Sequence, residues 1–173
     1  LLILKPEYVD ELQKIFIAII IGLLIGLERD YHNKSAGLRT FMVISFSSCI
    51  FTILSGHFTA NSPDRIAANI VTGVGFLGAG VIFKDDNKIV GITTASTIWA
   101  AASLGMAAGF GEIYLAILGT VVVMIVLWLL VPFQTYVDSL NKEREYTIKH
   151  ENMNGNEIEG FRALFLSHKM KVF

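Results

Sequence analysis

Three consecutive charges, Glu28-Arg29-Asp30, end one apolar stretch of the chain, and Arg39 opens the next. A guanidinium grips a carboxylate through two hydrogen bonds. Adjacent residues on a helix do not face each other, so the expected partner of Glu28 is Arg39 and not Arg29. Further along, Arg65, Asn69 and Thr72 recur at i, i+4 and i+7 in a glycine-rich apolar run, followed by Thr93, Thr94, Ser96, Thr97, Trp99 and Ser103 in another. Polar groups in such runs serve hydrogen bonding between helices or line a solute path. Serine and threonine hydroxyls are expected to return to the i−4 carbonyl of their own helix, whereas Asn69 is less easily satisfied in that way.

Other constellations carry less chemistry than their spelling suggests. Gly73-Val74-Gly75-Phe76-Leu77-Gly78 matches the dinucleotide fingerprint, but that motif needs a strand before it and a helix N-terminus to receive the pyrophosphate. Asp85 and Asp86 are flanked by Lys84 and Lys88 and read as a solvated turn, not a magnesium site. His32, His57, His150 and His168 are scattered, and the single cysteine, Cys49, excludes a multi-cysteine metal site and an internal disulfide. No nucleophile and base set, nucleotide loop or zinc signature is spelled out. The expectation is a protein without catalytic residues, metal or cofactor, and a net charge of −1 points to no nucleic acid.

The elements that must position these residues follow from composition. Of 173 residues, 53% are hydrophobic and only 17% charged, with a mean hydropathy of +0.58; soluble domains carry roughly 25% charged residues. Residues 66–83, 93–109 and 114–131 contain no Lys, Arg, Asp or Glu. A membrane span takes about 20 mostly apolar residues, and five segments come near that length: 12–27, 40–56, 66–83, 93–109 and 114–131. The expected fold is therefore an all-α membrane protein with a five-span domain over 1–133. Lys14 must snorkel for the first segment to span, and that segment has no cleavage site that would make it a signal peptide. Ser62-Pro63 is expected to cap the third span, which sets Arg65 in its first turn.

Charge sets the orientation. With spans alternating, eleven of the fourteen Lys and Arg residues fall on one side, and only Lys5, Lys14 and Arg65 on the other. The positive-inside rule then places the N-terminus outside and the C-terminus in the cytoplasm.

After Pro132 the chain changes character. Residues 134–173 read as a short α/β cytoplasmic tail, with a strand near Tyr146–His150, a turn at Asn152–Gly155, a helix capped by Asn156 and the start of a second strand at Lys169–Phe173. A fragment of this size does not bury a core alone, so it docks on a neighbour or continues.

Small residues are the expected packing device. Gly22 and Gly26, and Gly105 and Gly109, are each spaced as G-x-x-x-G, and Gly73, Gly75, Gly78 and Gly80 crowd the third span. Glycine faces let helix backbones approach closely in lipid, so a tight bundle is expected, together with a homo-oligomer, most simply a dimer.

Four motifs in order carry a resemblance: Gly22 to Arg29, Ala36 to Thr40, Arg65 to Phe83 and Gly91 to Trp99. Together they resemble the MgtC/SapB family of bacterial membrane proteins. The resemblance implies five transmembrane helices, a bacterial plasma (inner) membrane location and, in some members, a cytoplasmic ACT-like domain, of which the tail here matches at most the first strand and helix. It further implies a link to magnesium homeostasis, with growth in low magnesium and survival inside host cells, through modulation of other membrane proteins, ATP synthase among them. Relatives are also named magnesium transporters. On the matched motifs Glu28, Arg29, Arg39, Arg65, Asn69, Thr94 and Trp99 are the candidate functional or partner-binding residues. Two readings follow: a non-enzymatic effector that modulates a membrane partner, or a transporter of magnesium or another small ion with a path along Asn69 and Thr94. The lack of an acidic residue inside the second to fifth spans favours the effector, since carboxylates within the membrane mark cation routes.

Overall fold

A computed structural model of the chain describes residues 6–58, 64–85, 88–140 and 159–160. It is mostly helical, with α1 (Pro6–Tyr31), α2 (Leu38–Phe58), α3 (Asp64–Gly80), a hairpin of β1 (Phe83–Asp85) and β2 (Lys88–Val90), α4 (Ile92–Phe110) and α5 (Ile113–Leu140). The chain divides into two units, 1–135 and 136–173. In the second, the described residues are the last turn of α5 and the helical pair Glu159 and Gly160. The expected tail strands, the turn and the Asn156 cap lie outside the described residues, as do Ser62 and Pro63.

The helices overlap the expected segments, but α1 starts six residues before the first and α5 runs nine residues past the fifth, through Pro132; several of their ends have local causes. At the end of α1, Asn33 adopts a left-handed φ of 50°. There Asn33 N–H donates to Asp30 O at 3.0 Å and Lys34 N–H to Arg29 O at 3.0 Å, the bond pair of a Schellman motif. The third segment is shorter than expected, because α3 stops at Gly80 and Phe83 enters the hairpin. The hairpin pairs Phe83 with Val90, Lys84 with Ile89 and Asp85 with Lys88. Gly91, with φ 93°, caps the start of α4, and a side chain there would overlap the carbonyl of Val81. Only glycine lets the hairpin return this tightly onto the end of α3.

At the centre lies α2, packed on α1 and on α4; α1 also meets α4, and α3 lies against α4 and less extensively α2. The buried face of α2 is Phe41, Ile44, Ser45, Ser48, Cys49, Thr52 and Ser55, mostly small side chains. Both neighbours meet that face through glycines. On α1, a Cβ at Gly22 would stand 2.6 Å from Met42 Cα, and one at Gly26 2.7 Å from Leu38 Cα. On α4, a Cβ at Gly105 would overlap the Ser45 carbonyl, and one at Gly109 would lie 2.7 Å from Cys49 O. Thus α2 is held between two G-x-x-x-G faces, and the Ser45 hydroxyl donates across the gap to Ala18 O of α1 at 2.7 Å.

Not every expected packing glycine behaves this way. Gly78 makes ordinary contact with Ala95, but a Cβ on Gly73, Gly75 or Gly80 meets nothing within 4 Å. The buried ridge of α3 is Ala67, Ile70, Val74 and Gly78, spaced at i, i+3, i+7 and i+11. The other three glycines fall off that ridge, so among the described residues a side chain there would have no neighbour.

Among the described residues two helices, α2 and the Ile113–Leu130 part of α5, are long and apolar enough to cross a membrane. By contrast α1 carries Asp10, Glu11 and Lys14 near one end and Glu28, Arg29 and Asp30 near the other. Its Lys14 ion-pairs with Asp10 at 2.6 Å. The 17 residues of α3 are short, and α4 is diluted by its hydroxyls and glycines. From α5, Ala116, Thr120 and Leu127 turn inward, while Tyr114, Trp128 and most of its Val, Ile and Leu side chains are exposed.

Candidate functional site

The close approach of α1 to α2 at Gly26 builds a dry corner where α1 ends. In it Glu28 is 5% and Arg29 2% exposed. The two carboxylate oxygens of Glu28 accept from Arg29, Oε1 from Nη2 at 2.7 Å and Oε2 from Nε. His32, one turn on, places Nδ1 3.0 Å from the same Oε1, and its ring meets Tyr31 edge-on. The Nη1 nitrogen of Arg29 is buried with no hydrogen-bond partner among the described residues.

This corrects the expected pairing, because Glu28 is held by Arg29 and Arg39 is exposed in the first turn of α2. Neighbours on a helix diverge at Cβ, yet both side chains are long enough to fold toward each other where burial leaves the carboxylate no water. Among the described residues Arg39 forms no ion pair.

Asp30 has a separate task. Its Oδ2 accepts the Leu38 N–H at 3.1 Å, so a residue of α1 caps the otherwise unpaired N-terminus of α2. A Cβ on Gly37 would collide with that carboxylate, which explains the glycine in the Ala36–Thr40 motif. The capping role of Asp30, and the part of Gly37 in it, escaped the sequence reading, since a cap eight residues away leaves no local spacing signal. His32 did leave one, standing at i+4 from Glu28.

The remaining candidates lie elsewhere. Arg65 is exposed in the first turn of α3, as expected. Asn69 lines a cavity of about 480 Å³ between α2 and α3, with Ser47, Ile66, Gly73 and Leu77. Trp99 lines a second, of about 410 Å³, between α3 and α4, with Val74, Gly78 and Ser96. Thr94 is buried and lines neither. The seven candidates therefore form no single site: Glu28 and Arg29 meet, and Asn69 and Thr94 do not share a path. The hydroxyls of Thr52, Thr72, Ser96, Thr97 and Thr120 donate to the i−4 carbonyls of their own helices, as expected. Among the described residues no three His, Cys, Asp or Glu side chains converge on a point where they would hold a metal ion.

Comparison with known proteins places this geometry. Residues 15–136, which contain most of α1, all of α2 to α4, most of α5, both cavities and the charged corner, match the MgtC family. An uncharacterized protein of Haemophilus influenzae is 36% identical over 151 residues, 81% of this chain and 63% of its own length. Protein SapB of Bacillus subtilis is 47% identical over 112 residues, 59% of this chain and 48% of its own. Protein MgtC of Salmonella typhimurium is 39% identical over 107 residues, 62% and 46% respectively. The chain thus spans less than two thirds of each of these relatives, and no solved structure matches it. With the family match covering most of the chain, the protein belongs to the MgtC family.

Proposed function

We propose that this chain is a five-span bacterial inner-membrane protein, with its N-terminus outside and C-terminus in the cytoplasm, that acts as a non-enzymatic effector. In this reading it modulates a membrane partner, ATP synthase being the kind the resemblance implies, and supports growth when magnesium is limiting. The observation that carries it against transport is the separation of Asn69 and Thr94, which line no common cavity. A strongly hydrated divalent cation needs oxygen ligands or a wide polar path. Instead, the hydroxyls of Thr52, Thr97 and Thr120 are occupied by the carbonyls of their own helices.

Membrane insertion of all five helices is supported by what they expose. Phe16 and Leu24 of α1, Phe76 and Leu77 of α3, Trp99 of α4 and Trp128 and Leu129 of α5 all face outward. At 1.5 Å per residue α3 is about 26 Å long, close to the roughly 30 Å hydrocarbon core. The charged corner at Glu28, Arg29 and His32 then lies at the cytoplasmic rim, together with the hairpin.

Two measurements test the proposal. Purified protein in liposomes is expected to carry no magnesium, while Arg29→Gln abolishes support of growth at low magnesium in cells. Saturable magnesium uptake that is lost in Asn69→Ala makes it a transporter instead. In a Cys49→Ser background, an impermeant thiol reagent is expected to label Asn61→Cys but not Asn33→Cys in intact cells; the reverse pattern inverts the orientation.

A further inference from the structure

The α2–α3 cavity has a chemical gradient along one side. Arg65, Asn69, Gly73 and Leu77 succeed one another at intervals of four along α3, one ridge of the helix. The last three line the cavity, with Val43, Ile44, Ser47, Ser48 and Phe51 of α2 opposite. From its Asp64 end inward, the ridge thus presents a guanidinium, a carboxamide, a glycine and then only hydrocarbon. At 1.5 Å per residue the step from Arg65 to Asn69 is about 6 Å and from Asn69 to Leu77 about 12 Å.

Neither polar group is satisfied within the described protein. Arg65 is exposed and in no ion pair. Asn69 is also exposed and, unlike Thr72 beside it, has no hydrogen bond among the described residues. A carboxamide beside hydrocarbon is costly unless paired. The cavity is open at Gly73, where a Cβ would meet nothing within 4 Å among the described residues.

We propose that this cavity is a binding site for one phospholipid, taken from the leaflet at the Asp64 end of α3. Arg65 holds the phosphate, the Asn69 amide N–H donates to an acyl ester carbonyl, and one acyl chain lies past Gly73 between Ile70, Val74 and Leu77 of α3 and Val43 and Phe51 of α2. A second copy of the chain or a partner helix is the competing occupant, but neither needs a cation and then an amide at one end of a mostly apolar groove, broken on the α2 side by Ser47 and Ser48. That order is the order of groups along a phospholipid. The site rests on the proposed membrane insertion and lies on a different part of the fold from the charged corner.

Native mass spectrometry of detergent-solubilised protein with added phosphatidylglycerol tests the site. Wild type is expected to retain one lipid per chain after a delipidating wash. Gly73→Phe, which fills the channel, and Asn69→Ala, on an exposed position that leaves the fold intact, should each weaken retention about tenfold, and Arg65→Gln several-fold. Gly80→Phe, on the same helix but lining neither cavity, should match wild type. Equal retention in wild type, Gly73→Phe and Asn69→Ala, or none in wild type, overturns the lipid site. Membrane insertion is read separately from fractionation: a chain that sediments with membranes but retains no lipid loses the site alone.

Discussion

Gly105 of α4 lies so close to Ser45 of α2 that a single methyl group at 105 would overlap the Ser45 carbonyl oxygen. The obstacle is backbone, which cannot rotate aside as a side chain tip can. Alanine at Gly105, Gly22, Gly26 or Gly109 should therefore push two helices apart, and overpacking of this kind costs about 1–3 kcal/mol. Alanine at Gly73, Gly75 or Gly80 meets nothing among the described residues and should hold or raise stability, helix propensity favouring alanine by about 1 kcal/mol. Thermal unfolding in detergent separates the two groups; equal destabilisation in both shows that the α3 glycines also pack, on something outside the chain.

The Glu28–Arg29 pair predicts a steep response to single changes. Glu28→Gln strands a buried guanidinium and Arg29→Gln a buried carboxylate, and breaking a buried pair costs about 3–5 kcal/mol. Replacing both, as Glu28→Gln with Arg29→Gln, should cost less than the sum of the singles. Arg39→Gln, on the surface, should stay within about 0.5 kcal/mol. Additive losses for the pair, or coupling of Glu28 to Arg39 in a double-mutant cycle of melting temperatures, contradict the geometry.

Asp30 should behave as a helix cap despite its distance in sequence. Asp30→Ala removes the acceptor for Leu38 N–H and is expected to cost about 1 kcal/mol, within the 0.5–2 kcal/mol of such losses. Gly37→Ala should do comparable damage by displacing the same carboxylate. Hydrogen exchange at the first turn of α2 reads both: faster exchange of the Leu38 amide is expected in each variant, and unchanged exchange removes the cap.

Ser45→Ala deletes a bond between two helices, the one to Ala18 O. Side-chain bonds between helices in membranes average about 0.6 kcal/mol, so a melting shift of a few degrees at most is expected. Thr97→Val and Thr120→Val remove only bonds to their own helix and should shift it less. A larger loss from either threonine than from Ser45 shows that those hydroxyls reach another helix.

Much of this protein was legible in the sequence. The five apolar segments, the placement of Arg65 in a first turn, the hydroxyls returning to their own carbonyls and the G-x-x-x-G faces of α1 and α4 all follow from local rules of spacing and hydrogen bonding. Such rules act within one turn of helix, and one turn is what adjacent residues determine. Tertiary structure decided what depends on which face meets which. Gly22, Gly26, Gly105 and Gly109 pack because they turn to α2, whereas Gly73, Gly75 and Gly80 stand off the buried ridge of α3 by a fraction of a turn. Glu28 chose Arg29 over Arg39 because the α1–α2 contact at Gly26 closes a dry corner around the first two and leaves the third outside. The Asp30 cap on Leu38 joins the ends of two helices, and no spacing within either helix encodes it. Burial, and with it the strength of every polar contact, is a property of the packed bundle.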